Sequence, residues 1–291
     1  MKNKPNALLQ DLINQMELEQ IEVNLFRGES RDIGSRAVFG GQVLGQSLRA
    51  AVKTVDENRL PHSMHAYFIL PGDIKAPIIY DVDRIRDGGS FTTRRVIAIQ
   101  HGRAIFNMSA SFQIKEEGVE HQIEMPNVTP PEELPEDLER RKKIIDKVPE
   151  RLKKIYLQQW PIDFRRVEQY SPFSSEKLAP VKHVWFRAVE TLPDDPNLHR
   201  SLLAYTSDFN LLSTAMLPHG LSFASPNLLV ASLDHALWFH CDFRMDEWLL
   251  YTMQSPNAAN ARGFSIGHIF NQQGKLVATV AQEGLMRLGK K

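Results

Sequence analysis

Asp208 is the only charge in the stretch Ser201 to Leu217, which reads Ser-Leu-Leu-Ala-Tyr-Thr-Ser-Asp-Phe-Asn-Leu-Leu-Ser-Thr-Ala-Met-Leu. Read as one helix from about His199 to Leu217, the segment is apolar nearly all round and must be buried on several sides. A carboxylate there is costly to desolvate unless something compensates it. It is either an acid paired with a buried arginine or a backbone group, or a general base whose pKa burial lifts above about 3.9. Gln282 raises the same question. In the alternating run Leu276 to Met286 it shares a face with Leu276, Ala278, Val280, Gly284 and Met286, and a buried amide needs partners. Ser232, at the start of an expected strand, is unremarkable alone. With Asp208 on a central helix and Gln282 on the last strand, it completes an acid, hydroxyl and amide that could converge over the helix.

The elements that would position these residues occur twice. His62-Ser63-Met64-His65-Ala66-Tyr67-Phe68 and Ser232-Leu233-Asp234-His235-Ala236-Leu237-Trp238 match at His65-Ala66 and His235-Ala236, 170 positions apart (65 to 235). Gly102-Arg103-Ala104-Ile105-Phe106 and Gly274-Lys275-Leu276-Val277-Ala278 match at an offset of 172 (102 to 274). Conserved order and spacing point to duplication. Each half opens with a strand, Ile21 to Arg27 and His183 to Val189. A helix follows, in the first half after Phe39-Gly40-Gly41 with Leu44, Leu48, Ala51, Val52 and Val55 on one face. Four strands joined by short turns complete each half, with Gln100-His101-Gly102 and Gln272-Gln273-Gly274 as two of the turns. This order argues for two α+β units, each an antiparallel sheet wrapped around a central helix. The repeat sets Ala110 against Gln282 and His62 against Ser232, so the first half matches none of the three residues and one site is expected.

The expected units are residues 1–115 and 161–291, joined by a charged, proline-containing linker over 116–160. That stretch is read as solvated, with a surface helix broken near Pro149. Among 291 residues, 42% are hydrophobic, enough for a sizeable core. Lys plus Arg equals Asp plus Glu at 35 each, which gives no electrostatic reason to expect nucleic acid or an anionic membrane. The single Cys241 excludes an intrachain disulfide and suits a cytoplasmic location. No run of about 18 apolar residues suggests a membrane span, and Leu8 to Met16 reads as a packed helix rather than an anchor.

The segments Phe39-Gly40-Gly41-Gln42-Val43-Leu44-Gly45-Gln46, Tyr67-Phe68-Ile69-Leu70-Pro71-Gly72-Asp73 and Arg86-Asp87-Gly88-Gly89-Ser90-Phe91 resemble the first half of type II acyl-CoA thioesterases. Ser207-Asp208-Phe209-Asn210-Leu211-Leu212, Ser232-Leu233-Asp234-His235, Ala261-Arg262-Gly263-Phe264 and Val280-Ala281-Gln282-Glu283-Gly284 resemble their second half. The resemblance implies a tandem double hotdog. It also implies an Asp, a Ser or Thr, and a Gln that set water against a thioester carbonyl, roles that fall on Asp208, Ser232 and Gln282. The substrate would be medium- to long-chain acyl-CoA, hydrolysed without cofactor or metal, in a chain expected to form a homo-oligomer. A hotdog enoyl-CoA hydratase or dehydratase is one alternative, although Asp208 has no obvious histidine partner. A non-catalytic acyl-CoA-binding protein is another.

Several residues compete for attention. Gly263-Phe264-Ser265-Ile266-Gly267 matches a serine-nucleophile pattern, but that pattern needs a strand-to-helix turn and here lies within an expected strand. Cys241 reads as a packing residue, and His62 and His65 lack the spacing of a zinc helix. His235 and His240 read as satisfied strand histidines. Arg36, Arg94, Arg95 and Arg262 could meet coenzyme A phosphates. Backbone N–H groups near the Gly40-Gly41 helix start, or near its counterpart in the second half, are candidate oxyanion donors.

Overall fold

The computed structural model describes residues 6–148, 150, 153, 156–170 and 175–289. Helix α1 (Ala7–Met16) starts where the Asn6 side chain accepts from the N–H groups of Leu8 and Leu9, and it buries Leu9, Leu12 and Met16. It is a packed helix, as its sequence suggested. The strand expected from Ile21 to Arg27 is instead two, β1 (Glu19–Glu22) and β2 (Leu25–Gly28), turning at Val23-Asn24.

Helix α2 (Gly40–Val52) is buried on nearly every side. Its polar Gln46 is satisfied, donating to the carbonyls of Gln15 and Glu29 and accepting from the Tyr80 hydroxyl. Strands β3 (Arg59–Phe68), β4 (Ile78–Asp87), β5 (Phe91–Gln100) and β6 (Arg103–Ile114) follow. The β5–β6 turn has positive φ at His101 and Gly102 (49° and 71°). That two-residue geometry matches the twist of the strands it joins.

The second half repeats the plan. Strands β7 (Ile162–Arg166) and β8 (Val181–Ala188) precede helices α4 (Pro196–Ser207) and α5 (Leu211–Met216), α3 (Asp137–Lys143) being the short helix before them. Then come β9 (Leu228–Ser232), β10 (Asp234–Phe239), β11 (Leu249–Ala259), β12 (Arg262–Asn271) and β13 (Leu276–Leu288). Neighbouring strands run β2-β4-β5-β6-β3 in one half and β10-β13-β12-β11-β8 in the other, so the two orders are mirror-related. Strands β3 and β10 pair antiparallel, with Ala66 opposite His235, and fuse both halves into one 13-stranded sheet.

This is the tandem double hotdog, α+β, with an antiparallel sheet curled around central helices. The helices meet through small residues. A Cβ on Gly41 would collide with the Tyr205 carbonyl, and one on Gly45 would lie 2.9 Å from the Ser201 carbonyl. Glycine here lets two backbones touch.

The charged stretch after β6 departs from expectation. Glu116 to Glu120 is exposed, but the chain then straps across the outer face of the second sheet. Leu276 N–H donates to Gln122 Oε1 at 3.1 Å, and Trp185 Nε1 donates to the Thr129 carbonyl at 2.9 Å. Leu134 packs with Trp185, Trp248, Leu250 and Phe270. Apolar residues spaced among the charges, too sparse to signal a core, hold it there. The expected break near Pro149 lies outside the described residues.

Candidate active site

Asp208 is not inside a long helix. It caps the C-terminus of α4, Asn210 takes a left-handed φ of 69°, and the chain restarts as α5. Asn is among the few residues that adopt this conformation readily. The break turns the Asp208 carboxyl toward the N-terminus of α2, in the other half of the chain. The Gly41 N–H hydrogen-bonds it. A Cβ on Gly40 would lie 2.7 Å from Asp208 Oδ2 and 2.9 Å from the Phe68 ring. Gly40 is glycine because the carboxylate occupies the space a side chain would need.

Gln282 lies on the concave face of β13 with Ala278, Val280 and Gly284, and is fully buried. Its Nε2 donates to Asp208 Oδ1 at 2.7 Å and to Ser232 Oγ at 3.1 Å. Both amide hydrogens are therefore used, one on the acid and one on the hydroxyl. Ser232 ends β9 rather than beginning a strand. It faces Gly284, whereas Ala236 faces Ala281, so one extra residue is accommodated between β9 and β10. Around this bulge Leu233 N–H donates to the Glu283 carbonyl and Glu283 N–H to Asp234 Oδ1. Bulges re-aim side chains; this one lets Ser232 and His235 both face the helices.

Burial pushes the Asp208 pKa above the ordinary carboxylate range, opposed by the hydrogen bonds from Gln282 and Gly41. His235 is wholly buried, and desolvation drives its pKa down to about 3. Its Nε2 is 2.9 Å from Ser207 Oγ, which itself donates to the Ala204 carbonyl. The imidazole is thus neutral with its proton on Nε2, and it serves Ser207 rather than Asp208. The arrangement has the parts for base-assisted attack by water: a carboxylate made more basic by burial, a hydroxyl beside it, and an amide that fixes both.

The sequence reading brought Asp208, Ser232 and Gln282 into one set, and the three side chains do meet. It missed that the first half supplies Gly40 and Gly41. The adjacent glycines ahead of a helix were the available signal, read there as candidate oxyanion donors; the Gly41 N–H also faces Asp208. Arg94 is no phosphate ligand: it is buried and held by Thr54 and Asp87. Arg95 and Arg262 are exposed and pair with Asp83 and Glu283, and Arg36 is exposed. His62 bonds Ser111, and His65 stacks edge-on against Trp238. Burial raises the pKa of the half-buried Cys241, which disfavours a thiolate. Ser265 lies mid-strand in β12, away from any strand-to-helix turn. Among the described residues no group of three or more His, Cys, Asp or Glu could hold a metal.

The chain is similar to known proteins along most of its length. Residues 152–285 match the family model Acyl-CoA thioesterase, and residues 27–113 match Acyl-CoA thioesterase N-terminal domain. Acyl-CoA thioesterase 2 of Haemophilus influenzae is 42% identical over 283 residues, covering 97% of this chain and 99% of that protein. Acyl-coenzyme A thioesterase 8 of Homo sapiens is 40% identical over 283 residues, covering 94% of this chain and 88% of the human one. The crystal structure of acyl-CoA thioesterase II TesB2 from Mycobacterium marinum superposes with a TM-score of 0.79 at 44% identity, covering 96% of this chain and 99% of that one.

Proposed function

Since this chain belongs to the acyl-CoA thioesterase II family and is an acyl-CoA thioester hydrolase, we propose that it works by direct attack of a water that Asp208 deprotonates. The water sits between Asp208 and Ser232. As it adds to the thioester carbonyl, its proton passes to the Asp208 carboxylate. Collapse of the tetrahedral adduct breaks the C–S bond, and the leaving thiolate takes the proton from Asp208, giving free CoA and fatty acid and restoring the carboxylate. Gln282 keeps acid and hydroxyl in register. The observation that carries this reading is the amide shared between Asp208 Oδ1 and Ser232 Oγ.

We extend the reading to medium- and long-chain substrates. Phe209, next to Asp208, has ring centroids 4.4 Å from Phe39, 5.4 Å from Phe164 and 5.8 Å from Trp160. This aromatic wall suits a long acyl chain better than a short one. Exposed Tyr67, Ile69 and Phe223 support a homo-oligomer, and the unpaired Cys241 fits a cytoplasmic location.

Asp208→Asn tests the mechanism. General-base catalysis contributes roughly 10²- to 10⁴-fold, so kcat in a thiol-release assay should fall within that range with the fold intact. Wild-type turnover would remove Asp208 from the mechanism. A single turnover in oxygen-18 water separates water attack from an anhydride route, which would leave label in the enzyme. The same assay across acyl lengths should peak above short chains. The hydratase alternative loses support because His235 bonds Ser207 and leaves Asp208 without an imidazole. Release of thiol from saturated substrates excludes both it and a purely binding role.

A further inference from the structure

Ser265 projects from β12 onto the concave face, is fully buried, and its Oγ has no hydrogen-bond partner among the described residues. Its register partner on β13 is Gln282. The Gln282 Oε1 is also buried and also without a partner. Residues directly opposite on antiparallel strands share a face, with Cβ atoms about 4.5–5.5 Å apart. One of these lone atoms can only accept a hydrogen bond, and the other has a proton to give. Buried polar groups are rarely left unmatched, and these two stand at the same register position of the β12–β13 pair.

We infer that Ser265 is a positioning residue: its hydroxyl donates to a water that in turn donates to Gln282 Oε1, and so holds the amide with Nε2 turned toward Asp208 and Ser232. An amide is close to symmetric in shape, and a flipped Gln282 would point its oxygen at both partners. Ionised Asp208 rejects that flip by repulsion. Protonated Asp208 can instead donate to the oxygen and tolerate it. Because Asp208 is protonated once in every turnover, repulsion alone fails to hold the amide at that stage. A neutral donor behind the amide holds it at every stage. His235, on the strand flanking β13 on the other side, cannot do this, because with its proton on Nε2 its Nδ1 can only accept.

This inference rests on Gln282 belonging to the catalytic set, and the test keeps the two claims apart. Ser265→Ala, Gln282→Ala and the double variant are compared in the full chain by kcat, KM and Tm. Ser265→Ala should lower kcat roughly tenfold with KM unchanged and Tm slightly reduced. Gln282→Ala should lose more, and adding Ser265→Ala to it should change nothing further. A hydroxyl with no partner predicts the reverse, since its removal leaves kcat intact and Tm equal or higher; that result overturns the inference. So does an Ser265→Ala loss that adds in full to that of Gln282→Ala. Wild-type turnover in Gln282→Ala overturns the catalytic assignment, and the inference with it.

Discussion

At neutral pH the Asp208 carboxylate has two donors, Gln282 Nε2 and the Gly41 N–H, and among the described residues no cation in ion-pair range. Its desolvation is therefore only partly offset, and its folded-state pKa lies above the unfolded value. The sign of the linkage follows. Below the unfolded pKa, about 3.9, the group is protonated in both states and costs nothing. As pH rises from the unfolded pKa to the folded one, the unfolded chain gives up a proton that the fold still holds, and the penalty grows until it is complete above the folded-state pKa. Asp208→Asn should therefore raise Tm by a few degrees at pH 7 while destroying turnover, and the gain should vanish in acid; scanning calorimetry from pH 4 to 8 reads it. The acidic limb of the kcat profile should lie above the ordinary carboxylate range for the same reason. Asp208 and Gln282 were legible in the sequence because an acid and an amide stand among apolar neighbours. Their donor from Gly41 was not, because no pattern records which distant backbone N–H a side chain will meet.

Helix α2 makes contact with the site through its first turn, and Gly40 sets how closely it approaches. Gly40→Ala would drive a methyl into Asp208 Oδ2 and the Phe68 ring. Displacements near 1 Å can cost about a hundredfold in rate, so kcat should fall roughly ten- to a hundredfold while circular dichroism stays native. The repeat that revealed two helix-in-sheet units was legible because its glycine turns and strand alternation survive duplication. Two local irregularities were not. The break after Ser207 depends on Asn210 accepting a left-handed φ, and within an apolar run one asparagine does not disclose its backbone conformation. The bulge between β9 and β10 was hidden because Ser232 to Trp238 reads as unbroken strand. Both irregularities aim side chains of the candidate site, and functional sites are where local rules are expected to give way.

The molecule carries two hotdog units, and its site draws on both: acid, hydroxyl and amide from the second, glycine floor from the first. Their ties include the β3–β10 pairing, the glycine contact between α2 and α4, and Arg49, which reaches Glu17 and Asp195. Covalent continuity at the exposed Glu116–Glu120 stretch adds little to these. A specific protease site placed there and cut should give fragments that co-elute on gel filtration with kcat within about twofold of the intact chain, as binding between fragments replaces the peptide link. Loss of activity with dissociation would show that the tether holds the halves together. The same β3–β10 seam has a consequence for how the protein is made. Synthesis delivers β3 long before β10, and until then β3 is an open ten-residue edge able to recruit strands from other nascent chains. The route to the native state thus passes through a half-built protein whose correct partner is its own unborn second half. Crowded translation should favour exchanged pairs of chains wherever that wait is long.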